Sequence, residues 1–470
     1  MKRYEALDIL RGITIFGMVF SAIIPSGVLP VWMYHMQNPP PTHELNTLVR
    51  GISWVDLVFP IFIFCMGAAI PLSGRKKISL WKSENVTKGN MTKKFFLNSI
   101  ERFFMLWIFS YLYVFMLYTN IGSIWAQVLT LVGFAAFFPM YMVLKKDISN
   151  RRRIAIRLFG VVIILVVCVT GHFCFNEVIS VQRRGIIIFL LAFLYLLGSI
   201  IWYFTKNKPI LRSIIFTIIL LFTIISQQLN WPEITYANNS VKWWFNLEYI
   251  YFLLLLLPAT YIGDILYKRI EEGKSDLLVS ASKKERITAF FLFPVLLATI
   301  IWLISSSATG FIETDILVVF CILIVLANFS ILIPSYRKYF WVIILLLVLG
   351  FIFEPFTGYI KKVPCTISYC LITCAISIML LIMIDILCHI TRKNAFKWIF
   401  AGAGKNPLMS YIAFSSFIVP LMNITGFITI YRECRPDSNP WIGVLTSAAM
   451  VLITMTFVSF LSSKKIFWKA

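Results

Sequence analysis

The feature that most constrains this chain is a series of apolar runs that recurs along all 470 residues. Each run has about 18 residues or more, which is enough to cross a hydrocarbon core of about 30 Å as a helix. A soluble protein of this size would show mostly amphipathic periodicity instead. The composition agrees, with 59% hydrophobic and only 14% charged residues. The sequence therefore predicts an all-α, polytopic membrane protein.

We predict eleven to fourteen transmembrane helices, some of them re-entrant or split, in a single membrane domain covering residues 1–470. No internal repeat, Gly/Ser linker or soluble domain is recognisable. Fourteen spans can be drawn, at roughly 10–30, 53–73, 97–119, 125–144, 154–172, 185–205, 211–229, 249–267, 287–305, 315–334, 340–358, 366–390, 398–424 and 440–462.

The orientation of these spans follows from the distribution of Lys and Arg. Most of the 43 basic residues fall in alternate loops, such as "RKKISLWKSENVTKGNMTKK" and "KRIEEGKSDLLVSASKKER". Cytoplasmic loops carry such an excess, so both termini are predicted to be cytoplasmic and the number of spans even. This topology and attraction to anionic lipid account for the net charge of +22. We expect the lipid bilayer, and no nucleic acid, as a partner.

The nine cysteines show no metal-ligand spacing and no paired loop pattern, and most fall inside predicted spans. Buried free cysteines usually act as small apolar packing residues. We therefore expect no metal site.

Ionisable groups near the spans are candidate functional groups, because each needs a partner or a water-filled cavity inside a bilayer. Asp8 and Arg11 lie three apart on the first helix and can pair, which would also orient the end of that helix. Asp56 stands in the first turn of the second span, where a carboxylate is favoured at a helix N-terminus. A catalytic role and a capping role are both open for Asp56.

The second span carries two features of a bent, closely packed helix. Pro60 has no N–H for the carbonyl of Asp56 and is expected to bend the helix. Gly67, followed by two alanines, allows another helix to approach closely. Such a helix bends around either a substrate or only a neighbouring helix.

Two of the four histidines, His35 and His43, lie in the first predicted outer loop. Histidine is the side chain best suited to proton transfer near neutral pH. Between them the run Pro39–Pro41 is expected to hold the loop in an extended form. The alternative is that both are ordinary solvated or interfacial histidines.

Residues 5–75 resemble the N-terminal region of a known protein family. "LDILRGITIFGMVF", a loop with "WMYH", and "GISWVDLVFPIFIFCMGAAIPLS" are similar to the N-terminal signature of a transmembrane acyltransferase family. That family is typified by heparan-α-glucosaminide N-acetyltransferase and its bacterial relatives. A second, shorter similarity is "GAGKNPLMSYIAF" at residues 402–414, which matches the family's pattern at Gly404, Asn406, Leu408 and Tyr411.

The resemblance implies an enzyme that moves an acetyl group from cytoplasmic acetyl-CoA to a sugar or glycan amine or hydroxyl outside, in a bacterial inner membrane. His35 best fits the catalytic histidine, with Asp56 orienting its imidazole. Arg11 and Asn406 are the candidate acetyl-CoA contacts. The other signature positions are Asp8, Gly12, Pro60 and Gly67.

The basic loops at 75–94, 145–153 and 268–286 are candidates to hold the phosphates of acetyl-CoA. Two departures from the family pattern stand out. An asparagine that the family places after the first helix is absent near Ser21–Ala22, and the longer loop makes His43 a rival to His35. The acceptor therefore need not be glucosamine.

A transporter or lipid flippase of envelope glycan intermediates is the competing class, because many spans and buried polar groups suit it equally well. Such a protein would need no single histidine, and would favour repeated halves. A third reading is a catalytically inactive relative that acts as a partner in glycan assembly. A homo-oligomer is left open.

Overall fold

The computed structural model describes residues 4–119, 121–144, 147–231, 244–273, 281–390 and 394–469; for residues 312–314 it describes the backbone only. Nearly all regular structure in these residues is α-helical, as predicted. The helices are α1 (Glu5–Ile23), α2 (Trp54–Ser83), α3 (Lys88–Phe115), α4 (Ile124–Tyr141), α5 (Asn150–Phe175), α6 (Ile186–Thr205), α7 (Pro209–Gln228), α8 (Glu248–Tyr251), α9 (Leu253–Glu271), α10 (Lys283–Ser305), α11 (Phe311–Leu332), α12 (Arg337–Phe353), α13 (Ile367–Ile390), α14 (Ala395–Lys405), α15 (Pro407–Ala413), α16 (Val419–Thr425), α17 (Phe427–Glu433) and α18 (Pro440–Ser463).

Thirteen segments within the described part of the chain are long and apolar enough to cross a membrane. This number falls within the predicted eleven to fourteen. Helix α3 overlaps the predicted span 97–119 but begins nine residues earlier; it has 28 residues and is not among the thirteen. Two termini on the same side require an even number of crossings, so the predicted topology needs α3 to cross as well.

The contacts between residues divide the chain into two compact units. The first unit comprises residues 1–10, 30–100 and 193–394, and therefore contains α2 and α7–α13. The second comprises residues 11–29, 101–192 and 395–470, with α4, α5 and α14–α18. Both candidate histidines and Asp56 belong to the first unit.

Helix α2 packs closely against α9 inside the first unit. A Cβ added at Gly67 would lie 2.8 Å from the Cβ of Ala259 and 2.9 Å from the Leu256 carbonyl oxygen. One added at Gly263 would lie 2.3 Å from the Ala68 carbonyl oxygen. Real Cβ atoms do not approach other atoms so closely, so the two helices need glycine on both sides of their contact. The predicted role of Gly67 is confirmed.

A buried ion cluster joins α2, α7 and α9 at the end of the unit that the charge pattern assigns to the cytoplasm. The Arg75 Nε donates to Asp264 Oδ1 at 2.6 Å, and Arg212 Nη1 lies 2.8 Å from Asp264 Oδ2. The indole N–H of Trp202 lies 3.3 Å from the same Oδ2. One carboxylate thus neutralises two guanidinium groups only in part.

Candidate active site

The structure brings His35 and Asp56 together at the opposite end of α2. The His35 Nδ1 lies 2.7 Å from Asp56 Oδ1, within hydrogen-bond distance. The imidazole is 41% exposed, whereas the Asp56 side chain is only 3% exposed. A buried carboxylate that binds one ring nitrogen fixes the orientation of the imidazole and leaves Nε2 for chemistry.

The second carboxylate oxygen of Asp56 is held by the start of α2 itself. Ser53 and Asp56 form a capping box, in which the Ser53 backbone N–H donates to Asp56 Oδ2 at 3.1 Å. The Met36 backbone N–H donates to the same oxygen at 3.0 Å. Asp56 therefore caps the helix and binds His35 at once. The capping interpretation is confirmed, and the catalytic role of Asp56 stays a prediction.

Lys362 is the third charged group of the site, and the sequence reading missed it. Its Nζ lies 3.1 Å from His35 Nδ1 and 3.7 Å from Asp56 Oδ1, with the side chain 26% exposed. A signal existed in the sequence: Lys361 and Lys362 stand in a short loop that the topology places outside, where basic residues are under-represented. Nothing in the sequence connects that loop with His35.

The two neighbours of His35 Nδ1 favour different proton positions. When Nδ1 carries the hydrogen, it donates to Asp56, and Nε2 is an unprotonated base. When Nδ1 instead accepts a hydrogen from the Lys362 ammonium, Nε2 carries the ring hydrogen and is not a base. Only the first arrangement provides a general base at Nε2, and the ring becomes an acid once it has taken up a second proton as an imidazolium.

Hydrogen bonds from one side chain and from the backbone dock the Lys362 loop against the His35 loop. The side-chain amide of Gln37 pairs with the backbone of Val363, donating to its carbonyl and accepting from its N–H at 2.8 Å. Further along, the Gly51 N–H donates to the Ile360 carbonyl at 2.8 Å. These contacts join residues more than 300 positions apart and hold Lys362 beside the histidine.

The prediction of an extended proline run between the histidines is wrong. Pro40 and Pro41 lie in a turn, which the His43 N–H closes by donating to the Pro39 carbonyl at 3.1 Å. The loop then turns back, because the Asn46 N–H donates to the Gln37 carbonyl at 2.8 Å. Main-chain hydrogen bonds within a short loop outweigh the extended preference of isolated prolines.

Residues 3–266 match the family model described as a domain of unknown function, DUF5009. The chain belongs to this family. No curated protein matches the chain. The DUF5009 match covers more than half of the sequence and includes His35, Asp56 and the ion cluster around Asp264. Lys362 lies beyond the matched residues.

Within the DUF5009 region, His43 has different surroundings from His35. Its Nδ1 lies 3.2 Å from the Asn38 carbonyl oxygen, and its ring meets the Tyr34 ring edge-on at 4.6 Å between centroids. Its backbone φ is +55°, in the left-handed region. These contacts stabilise the turn of the loop, so the geometry favours His35 as the reactive histidine.

Because Pro60 has no N–H, the Asp56 carbonyl lacks its helical donor, and a side chain on another helix replaces that donor. The hydroxyl of Tyr369, on α13, donates to the backbone carbonyl of Asp56 at 2.8 Å. Tyr369 is fully buried. The predicted loss of one helical hydrogen bond therefore creates an attachment point for α13 directly beneath the His35–Asp56 pair.

We expect Tyr369→Phe to lower the free energy of unfolding by about 1–3 kcal/mol, because the buried Asp56 carbonyl loses its donor. Thermal unfolding of the purified protein measures this. Tyr261→Phe is the matched control, since the Tyr261 hydroxyl makes no hydrogen bond within the described residues. Equal stability of the two variants would contradict the assigned contact.

Burial lowers the pKa of Lys362, although the Asp56 carboxylate acts in the opposite direction. An unfolded lysine titrates near its ordinary value of about 10.5. Between the lowered pKa and that value, the unfolded chain binds more protons than the folded protein. The free energy of unfolding therefore rises with pH in this window.

We expect Lys362→Met to remove this dependence, because methionine keeps an apolar stem but does not titrate. The melting temperature of the wild type should rise relative to that of the variant as the pH increases from neutral toward 10.5. Thermal unfolding over this pH series is the measurement, with Lys361→Met as the control for losing one lysine. Parallel curves for wild type and Lys362→Met would show that the burial of Lys362 has no energetic consequence.

The remaining signature residues lie in both units. Asp8, in the first unit, is buried. In the second unit, Arg11 Nη1 donates to the Gly404 carbonyl at 3.1 Å, and a Cβ at Gly12 would lie 2.0 Å from the Phe400 carbonyl oxygen. Gly12 is thus needed for close packing against α14. The pairing of Asp8 with Arg11 stays a prediction.

Asn406 holds the end of the chain in the second unit. Its Nδ2 donates to the Ile466 carbonyl at 3.0 Å, and its Oδ1 accepts from the Trp468 N–H at 3.0 Å. Asn406 is fully buried. These bonds give Asn406 a structural role. The acetyl-CoA contacts of Arg11 and Asn406 stay predictions.

Proposed function

We propose that this chain is a membrane-embedded acyltransferase. It moves an acetyl group from cytoplasmic acetyl-CoA to an amine or hydroxyl of a sugar or glycan on the other side of a bacterial plasma membrane. The observation that carries the proposal is the 2.7 Å contact between the half-exposed His35 imidazole and the buried Asp56 carboxylate. That arrangement is the base–orienter pair that Ser-His-Asp enzymes use for acyl transfer.

In the direct route, His35 Nε2 takes the proton of the acceptor as its oxygen or nitrogen attacks the thioester carbonyl. The tetrahedral intermediate collapses, the C–S bond breaks, and the imidazolium returns the proton to the departing thiolate. In the alternative route, Nε2 attacks the thioester carbonyl, the C–S bond breaks, and coenzyme A leaves as its thiolate. The acceptor oxygen or nitrogen then attacks the acyl-imidazole, the bond between the acetyl carbon and Nε2 breaks, and the acceptor's proton passes through the freed Nε2 to the thiolate. Asp56 stabilises the imidazolium in the first route and orients the ring in both.

The length of α2 supports a reaction that crosses the membrane. Asp56 and Arg75 lie nineteen positions apart on this uninterrupted helix, a rise of about 28 Å, close to the thickness of the hydrocarbon core. The cluster at the Arg75 end holds two arginines and one carboxylate. Its excess positive charge supports an anionic substrate entering from that end. Of the other basic loops, residues 145–146 and 274–280 lie outside the described residues.

The first experiment is to incubate the full-length protein in lipid nanodiscs with acetyl-CoA and to follow binding and the release of free thiol. We expect binding and slow thioester loss, because water replaces the absent acceptor. No binding at millimolar acetyl-CoA would contradict the proposal. It would favour a transporter or flippase of envelope glycan intermediates, which uptake assays would then test.

A further inference from the structure

A cavity of about 580 Å³ lies beside the segment that carries Lys362. Pro364 and Thr366 line it, together with the ends of α7 and α12. Lys362, two residues before Pro364, contacts His35 and Asp56. One short segment therefore connects the candidate active site with the wall of this cavity. Its volume falls within the range of about 300–1,000 Å³ typical of small-molecule sites.

The cavity combines carboxamides with aromatic rings. Gln227, Gln228 and Asn230 contribute the amides, and Phe353 and Phe356 contribute the rings. No acidic, basic or histidine side chain is among the lining residues in the part of the chain that the structure describes. Carboxamides both donate and accept hydrogen bonds, so they match hydroxyl groups, while phenyl faces suit an apolar C–H surface.

We propose that this cavity binds a neutral sugar ring and selects a hydroxyl, rather than a charged amine, as the acetyl acceptor. The inference rests on the proposed function, which leaves both kinds of acceptor open. A site built for an ammonium or a carboxylate would carry an opposite charge, because burying an unpaired charge is costly. Amide groups and phenyl rings without charge fit the hydroxylated, C–H-rich faces of a neutral hexose.

The test compares glucose, glucosamine and glucuronate, which share one ring and differ in charge. Saturation-transfer NMR detects millimolar binding to the full-length protein. The protein is held in nanodiscs because maltoside detergents would compete for a sugar site. We expect glucose to give the strongest saturation-transfer signal. A stronger signal from glucosamine or glucuronate, or no signal from any of the three, would overturn the proposal.

A double variant, Gln228→Ala with Asn230→Gly, removes two exposed amides from the lining. Glycine is chosen at position 230 because Asn230 has a φ of +53°. Gln227 is kept, since its amide donates to the Cys365 carbonyl at 2.8 Å and supports the segment. We expect glucose binding to weaken about tenfold, from the loss of two hydrogen-bonding groups. The exposed glutamine variant Gln182→Ala is the matched control and should bind as the wild type does.

Comparing acetyl transfer by the wild type and by His35→Ala, beside glucose binding, separates this proposal from the proposed function. Amide-dependent glucose binding by a wild-type protein that transfers no acetyl group would support the cavity and contradict the acyltransferase. His35-dependent transfer with glucose binding unchanged in the double variant would support the acyltransferase and overturn the cavity assignment.

Discussion

Replacing His35 with alanine is expected to reduce acyl transfer by about 10²–10⁴-fold, the range that a positioned general base supplies. The reduction should appear in kcat, because the imidazole acts on the reacting atoms. Folding should be retained, since the side chain is 41% exposed. Asp56 also keeps its backbone donors and Lys362 at 3.7 Å. Initial rates of thioester loss and thermal unfolding, measured on the same preparation, test both parts of this expectation.

His43→Ala is the control for this substitution, because it removes the other histidine of the loop. We expect it to keep most of the activity and to lower stability slightly, since His43 supports the turn through Asn38 and Tyr34. Loss of transfer confined to His43→Ala would move the reactive group eight residues along the chain. Normal transfer in both single variants and in the double variant would exclude a histidine mechanism.

Asp56→Asn is expected to lower the activity by a comparable factor with little loss of stability. An asparagine can keep its oxygen toward the Ser53 and Met36 N–H groups, which both donate to Oδ2. Its NH2 group then faces His35 Nδ1, which must become an acceptor. The ring hydrogen is thereby moved to Nε2, and the base is lost. A change of this kind costs about 10⁴-fold in a serine-protease triad.

Asp56→Ala provides the comparison that separates catalysis from capping. It removes the carboxylate from both roles, so we expect a similar loss of activity and a further loss of stability, about 1 kcal/mol for the cap alone. The asparagine variant should therefore lose activity while keeping its melting temperature, whereas the alanine variant should lose both activity and melting temperature. An asparagine variant as active as the wild type would show that Asp56 only caps α2.

The fold class was predictable from the sequence because the bilayer imposes length and polarity on each segment separately. The runs of α13 and α18, for example, are apolar over most of their length irrespective of their neighbours. Local chemistry was also readable. Pro60 has no N–H to donate within its helix. A carboxylate in the first turn binds the free backbone N–H groups of its own helix, whatever the helix packs against. The packing role of Gly67 followed from the absence of a side chain.

The site was predictable only in part. His35 and Asp56 lie 21 positions apart, on two sides of one loop, and the signature "WMYH" followed by "SWVDLVFP" pointed to both. Their direct contact depends on how the loop turns. That turn was predicted wrongly, because the hydrogen bonds of His43 and Asn46 to the loop backbone decide it.

By itself, the sequence determined an all-helical membrane protein, a second span beginning near residue 53, and a histidine and a carboxylate near one predicted surface. Only the tertiary structure decided that Lys362 stands beside the histidine and that Tyr369 binds the carbonyl freed by Pro60. Each contact joins residues more than 300 positions apart. Local preferences act over a few residues, whereas such pairs come together only when whole helices pack, and many arrangements of similar helices satisfy the same apolar pattern.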